Sequence, residues 1–162
     1  MKHKMISSTV YDHLSSEKRH ITRQTDNEEM LRIYLYDVLV NAMEDIDDPD
    51  MKGSSPERYI ENLITNRLGD FSKRIILTCF KEESVVGILI ALPNKDVQLE
   101  SYNIYTLGVN KDFRGNGIGT ELILKVKDIL RNQGVEWVSL DVHEENKKAI
   151  RLYKRMGFSV NG

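Results

Sequence analysis

The spacing of apolar residues changes along the chain, and each change marks an element. Met30, Leu31, Ile33, Tyr34, Val38, Leu39 and Met43 recur at close to helical spacing, which predicts a helix over residues 26–43. Thr25-Asp26-Asn27-Glu28 at its start reads as a capping box, in which a hydroxyl and a carboxylate three positions on satisfy orphan amides. Ser55-Pro56 opens a second helix, with serine as cap and proline in the first turn. Tyr59, Ile60, Leu63, Ile64 and Leu68 share one side of it, and Gly69 stops it. Two short apolar runs follow, Arg74-Ile75-Ile76-Leu77-Thr78-Cys79-Phe80 and Val85-Val86-Gly87-Ile88-Leu89-Ile90-Ala91-Leu92. The polar turn Lys81-Glu82-Glu83-Ser84 joins them as an antiparallel hairpin. A further strand fits residues 102–109, a helix 118–133, a strand 137–142, and a last helix from about 146 to 156. Ile21-Thr22-Arg23-Gln24 is a candidate first strand, and residues 1–18 read as a polar arm ahead of a single domain over 19–162. Helices, then a meander, then strand–helix–strand–helix predict an α+β or α/β sandwich with a mixed sheet. The helix at 118–133 would cross over between two parallel strands.

Composition narrows the function classes. A chain of 162 residues is enough for one domain with its own core. The net charge of −2, from 23 basic and 25 acidic side chains, argues against a dedicated nucleic-acid binder. No apolar run approaches the ~20 residues of a membrane span. The basic start Met1-Lys2-His3-Lys4 has no apolar stretch behind it and is not a secretory signal. The one cysteine, Cys79, excludes a disulfide framework, speaks against a cysteine metal site and reads as a small buried strand residue. These features predict a reduced, soluble, cytoplasmic protein that binds no metal, no nucleic acid and no membrane.

The chemistry-bearing segment is Val109-Asn110-Lys111-Asp112-Phe113-Arg114-Gly115-Asn116-Gly117-Ile118-Gly119-Thr120. Three alternate glycines between a strand and a helix let backbone amides turn inward and a bulky anion come close. The helix start adds unpaired N–H groups and about half a positive charge. Arg114 can add charge-assisted bonds. Together these suit a pyrophosphate. A phosphate loop of the Walker type needs Lys then Ser or Thr after its last glycine, and Gly119 is followed by Thr120-Glu121. A Rossmann fingerprint needs G-x-G-x-x-G with an acidic residue ~20 positions on. The spacing here is one residue short, Asp141 stands near the acidic position, and only 21 residues follow it, so a Rossmann-like dinucleotide binder is a weak alternative.

Arg114-Gly115-Asn116-Gly117-Ile118-Gly119 resembles the R/Q-x-x-G-x-G/A motif of the GNAT superfamily, the acetyl-CoA-dependent N-acetyltransferases. The segment from Leu140 to Phe158 is similar to that family's L-x-V-x-x-x-N-x-x-A-x-x-L-Y-x-x-x-G-F pattern, and the likeness extends from about Ile21 to Phe158. The resemblance implies a mixed, mostly antiparallel sheet flanked by helices, with two parallel strands splayed at a cofactor cleft. It implies that the backbone near Leu107, Gly108 and Val109 pairs with the pantetheine arm of acetyl-CoA like an added strand. Arg114, Gly115, Asn116, Gly117, Ile118, Gly119 and Thr120 would wrap the pyrophosphate, and Asn146 would bond the arm, cap the last helix, or both. Lys147 and Lys148 could reach the nucleotide or simply form a solvated face. Tyr153 matches the usual general acid: a phenol with a pKa near 10 is protonated at pH 7 and can donate to a thiolate of pKa about 8.5.

The acceptor implied is an amine, on a small molecule or a protein. Its neutral form costs roughly 4 kcal/mol at pH 7.4 for a lysine-like group. Some members carry a glutamate base on the strand before the loop; the matching position here is Asn103, which is not a base. Glu100, His143 and Asp141 are other candidates, beside a water relay or a backbone carbonyl. The acidic run over residues 44–50 would attract a cationic acceptor or be a solvated loop. The family pattern adds two strands after Gly-Phe, whereas Ser159-Val160-Asn161-Gly162 alone follow here. The shortened C-terminal strands predict an open edge at residues 137–142, covered by residues 5–11 or by a second subunit in a homodimer, or else a truncated chain. A non-catalytic acetyl-CoA-binding regulator of the same fold is the second functional expectation.

Overall fold

A computed structural model of the chain describes residues 7–11, 18–23, 28–42, 55–68, 73–94 and 101–160. Among the described residues, the sheet has six strands that pair in chain order. The strands β1 (Ser7–Tyr11), β2 (Lys18–Arg23), β3 (Ile75–Lys81), β4 (Ser84–Pro93) and β5 (Ser101–Val109) are antiparallel neighbours. The strand β6 (Trp137–Leu140) lies parallel to β5, reached through a crossover helix. The helices are α1 (Glu28–Ala42), α2 (Pro56–Asn62), α3 (Ile118–Asn132) and α4 (Lys147–Arg155).

Residues 85–91 of β4 are all buried, as a strand covered on both faces must be. Ile76, Ile88 and Ile90 pack against Leu31, Leu35, Val38 and Leu39 of α1 and Ile60 of α2. Leu77, Leu89 and Ile104 pack on the other face against Leu122, Ile123 and Val126 of α3. Two glycines let the helices lie close. A Cβ on Gly108 would stand 2.8 Å from Leu39 Cδ2, and one on Gly87 would stand 2.8 Å from Ile118 Cγ2.

The helices α1, α3 and α4, the hairpin and β5 fall within about two residues of the boundaries that periodicity predicts. Three features differ. Residues 7–11 pair with β2, Ser7 opposite Thr22 and Tyr11 opposite Lys18. They therefore lie at the edge far from β6, and the expected covering of residues 137–142 by residues 5–11 is overturned. The short connection from β1 to β2 makes an antiparallel neighbour of the nearest strand. Second, β6 ends at Leu140 instead of 142, because its last partner on β5 is Ile104. Third, the second helix leaves α-helical register: residues 63–67 form a π-helical turn in which the Leu68 amide donates to the Leu63 carbonyl at 3.0 Å. That widened turn keeps Leu63, Ile64 and Leu68 in the core. The capping residues 25–27, Gly69, the acidic run 44–50 and Glu100 lie outside the described residues. Among the described residues, no helix is long and apolar enough to cross a membrane.

Candidate active site

The parallel strands part company. They pair from Ser101 opposite Trp137 to Ile104 opposite Leu140, after which β5 continues to Val109 without β6. A bulge in β5 sits at the same place: Ile90 faces Thr106 and Ala91 faces Ile104, so Tyr105 is the extra residue. A bulge bends its strand and raises the local twist. It also turns Tyr105 and Thr106 to the same side. Tyr105 packs on the α1–α2 cluster, and the Thr106 hydroxyl lies 3.3 Å from the Tyr59 hydroxyl of α2. Asn103 stands just before the parting, where its Oδ1 accepts from Ser139 Oγ at 3.1 Å. The residue at the expected base position is thus an amide tied across the strand pair.

β5 runs directly into the glycine loop. Asn110 Oδ1 accepts from the Asp112 amide at 3.1 Å and starts a 3-10 turn over Lys111–Phe113. Arg114 Nε donates to the Val109 carbonyl at 3.2 Å, and Asn116 Nδ2 donates to the Phe113 carbonyl at 3.1 Å. Gly115 and Gly117 hold φ of +83° and +78°, a region costly for residues with a Cβ. Gly117 is the N-cap of α3 and has no side chain to satisfy the first-turn amides. The Ile118 side chain is buried in the core, so this residue offers only backbone to the loop. Leu107, Gly108, Val109, Gly119 and Thr120 complete one continuous ribbon from strand to helix. A Cβ on Gly119 would meet only Val109 Cγ2 at 3.9 Å, so internal packing does not demand a glycine there.

α4 follows β6 through a short loop. Asn146 Oδ1 caps the helix by accepting from the Ala149 amide at 3.2 Å. That fixes the amide nitrogen as the group able to donate elsewhere. His143 Nδ1 accepts from the Glu145 amide at 3.3 Å and closes the preceding turn. Asp141, Lys147 and Lys148 are exposed. Tyr153 is half-buried, edge-on to Phe158 with ring centres 6.1 Å apart, and packs on the same cluster as Leu107, Val109 and Leu140. Burial pushes its phenol above the usual tyrosine value. Cys79 is buried, as its setting in β3 predicts, and burial pushes its thiol up to about 11. Among the described residues, no three His, Cys, Asp or Glu side chains gather as metal ligands.

Sequence reasoning missed three groups. The first is Arg19, whose Nη1 donates to the Asn116 carbonyl at 2.6 Å. The second is the Tyr59–Thr106 pair. The third is Lys127, which donates to the Met156 carbonyl at 2.9 Å and stands over the Phe158 ring. Arg19 had a signal: it alternates with Ile21 on one side of β2, so an arginine was bound to point where a core isoleucine points.

With one parallel strand pair among the described residues, the sheet is not doubly wound, and the Rossmann-like reading falls. A solved aminoglycoside acetyltransferase from an uncultured soil metagenomic sample shares the fold, with a TM-score of 0.63 and 23% identity over 89% of this chain and 93% of that one. Mycothiol acetyltransferase of Thermobifida fusca is 42% identical over 57 residues, 35% of this chain and 18% of the relative. Human N-acetyltransferase 8B is 31% identical over 114 residues, 65% of this chain and 50% of the relative. The chain thus spans half or less of the length of these two relatives. The model of the acetyltransferase (GNAT) family matches residues 40–158, which include the glycine loop, Asn146 and Tyr153, and the chain belongs to that family.

Proposed function

We propose that the protein is an N-acetyltransferase that moves the acetyl group of acetyl-CoA to a primary amine by direct attack in a ternary complex. The observation that carries this reading is the parting of β5 from β6 beyond Ile104 and Leu140, on the stretch of β5 that leads into the uncapped start of α3. An extended pantetheine arm suits a strand that has lost its neighbour, since backbone pairing needs no particular side chain. The loop from Arg114 to Thr120 offers amides and a helix N-terminus to the diphosphate. Asn146, with its oxygen committed to the cap, donates from its amide nitrogen to the arm.

In the reaction the amine nitrogen attacks the thioester carbonyl carbon. A backbone N–H among residues 107–109 stabilises the oxyanion. The C–S bond breaks, and the thiolate takes a proton from the Tyr153 hydroxyl. Asn103 cannot take the proton that the amine sheds; in this reading that proton passes to water, and the Tyr153 phenolate regains one from solvent before the next turnover. The raised phenol keeps Tyr153 in its donating form to higher pH than an exposed tyrosine. Loss of activity on the alkaline side therefore begins above the ordinary tyrosine range.

CoA release measured across a panel of primary amines tests the proposal. Tyr153→Phe is expected to lower kcat by about 10²–10⁴-fold and to leave CoA affinity unchanged. Tight CoA binding with no turnover on any amine would instead assign the non-catalytic regulator. No CoA binding at all would end both readings.

A further inference from the structure

The diphosphate reading leaves open what holds the loop in the shape that receives an anion. Arg19 of β2 answers this from below. It is 7% exposed and lies 97 positions from its partner in sequence. Its Nη1 donates to the Asn116 carbonyl at 2.6 Å, and its Nη2 lies 3.8 Å from where a Cβ of Gly117 would stand. In a trans peptide the C=O of one residue and the N–H of the next point in opposite directions. A guanidinium that draws the Asn116 carbonyl towards the sheet therefore turns the Gly117 N–H away from the sheet. Two further side-chain contacts within the loop, Asn116 Nδ2 to the Phe113 carbonyl and Arg114 Nε to the Val109 carbonyl, fix the preceding residues and not this peptide.

We propose that Arg19 is a positioning residue for the coenzyme's diphosphate: it orients the 116–117 peptide so that the Gly117 N–H faces the anion, and it sets a buried cation beneath the loop. The inference rests on the reading that this loop receives a diphosphate. Two effects act together. The fixed amide dipole needs no reorganisation when the anion arrives. The guanidinium charge, held out of water, is less screened by salt than an exposed one. An arginine suits the place because its charge is permanent and its fork can hold one carbonyl while a second nitrogen lies under the neighbouring residue.

The test compares wild type with Arg19→Met and Arg19→Lys, using CoA and inorganic pyrophosphate. Wild type should bind CoA, and pyrophosphate should compete. Arg19→Met should weaken both ligands tenfold or more at unchanged circular dichroism. Arg19→Lys, which keeps the charge and one donor, should recover affinity to within about threefold. Pyrophosphate added to isotope-labelled wild type should shift the Gly117 amide resonance, a readout that does not depend on any variant folding. Undiminished pyrophosphate competition in folded Arg19→Met, or an unmoved Gly117 amide, overturns the role of Arg19 and leaves the proposed function standing. Failure of wild type to bind CoA strikes the proposed function itself.

Discussion

On the β4 side of β5, residues 85–91 are buried at every position and helices close both faces; on the β6 side, neither β6 nor α4 contains a buried residue. The first flank is a scaffold, held by two hydrophobic clusters that meet across the sheet. The second is a limb. It hangs on four backbone-paired positions, on Val138, Leu140, Tyr153, Met156 and Phe158 resting half-buried against the α3-side cluster, and on Lys127. The candidate cleft runs along the seam. One wall is buried at every position and the other carries fewer buried contacts, the condition under which local opening costs less.

The sharpest way to break this contrast is to cut each flank. Leu89→Ala removes a side chain with no exposed surface from the scaffold and should cost about 2–5 kcal/mol in urea unfolding. Trp137→Ala, at a residue 62% exposed on β6, should stay within about 0.5 kcal/mol. Equal losses would mean that the limb is as deeply anchored as the scaffold.

Each flank also keeps a proton by burial, and alkali separates them. The Cys79 thiol of β3 is pushed up to about 11. In the unfolded chain it titrates near its ordinary ~8.5. Between those values the unfolded state loses its proton first, so stability is full below the unfolded value and falls as pH rises towards the folded one. The loss should reach about 3 kcal/mol, and Cys79→Ala should flatten that part of the stability–pH curve. A slope unaffected by Cys79→Ala would place the alkaline sensitivity elsewhere, with the Tyr153 phenol of the limb as the other group that burial raises among the described residues.

The same contrast explains what could be read in advance. Scaffold elements announce themselves because burial on one or both faces imposes a period, as in residues 74–92 and in the stripe of Leu122, Ile123, Val126 and Ile129. The loop was legible because Gly115 and Gly117 occupy backbone conformations that other residues avoid. The roles proposed for Asn146 and Tyr153 rest on family resemblance, since an amphipathic α4 looks the same with or without chemistry. The bulge at Tyr105 and the parting at Leu140 have no local code; they arise when β4, β5 and β6 pair over unequal lengths. β1 has no sequence signature, because Ser7-Ser8-Thr9-Val10-Tyr11 carries too few apolar residues to show alternation, and its position follows from pairing with β2.

Close packing on the scaffold side of the cleft sets the next effect. The Cβ added by Gly108→Ala would stand 2.8 Å from Leu39 Cδ2 and 3.3 Å from Val38 Cγ1. Relief requires the buried Leu39 and Val38 side chains to repack, so the expected cost is about 1–3 kcal/mol. Because Gly108 lies on the strand proposed to pair with the pantetheine arm, CoA affinity should fall together with stability. Gly134→Ala supplies the comparison: no atom lies near its Cβ, so its cost comes from φ of +76° alone and CoA affinity should hold.

The smallest effect probes the limb most directly. Asn146 caps α4, and Asn146→Ala should cost about 1 kcal/mol. In a limb with no buried residue, that cost appears as fraying of residues 147–155, seen as faster amide exchange there while the scaffold amides remain protected. Asn146→Asp separates the two duties of the side chain. A carboxylate accepts from the Ala149 amide as well as the native oxygen does and sits favourably at a helix N-terminus, so exchange should return to the wild-type pattern. The carboxylate has no N–H to give. If Asn146 also donates to the pantetheine arm, acetyl-CoA binding should stay weakened in Asn146→Asp although the helix is restored. If the cap is its whole role, affinity should return with the helix, and the limb would contribute to the cleft through Tyr153 alone.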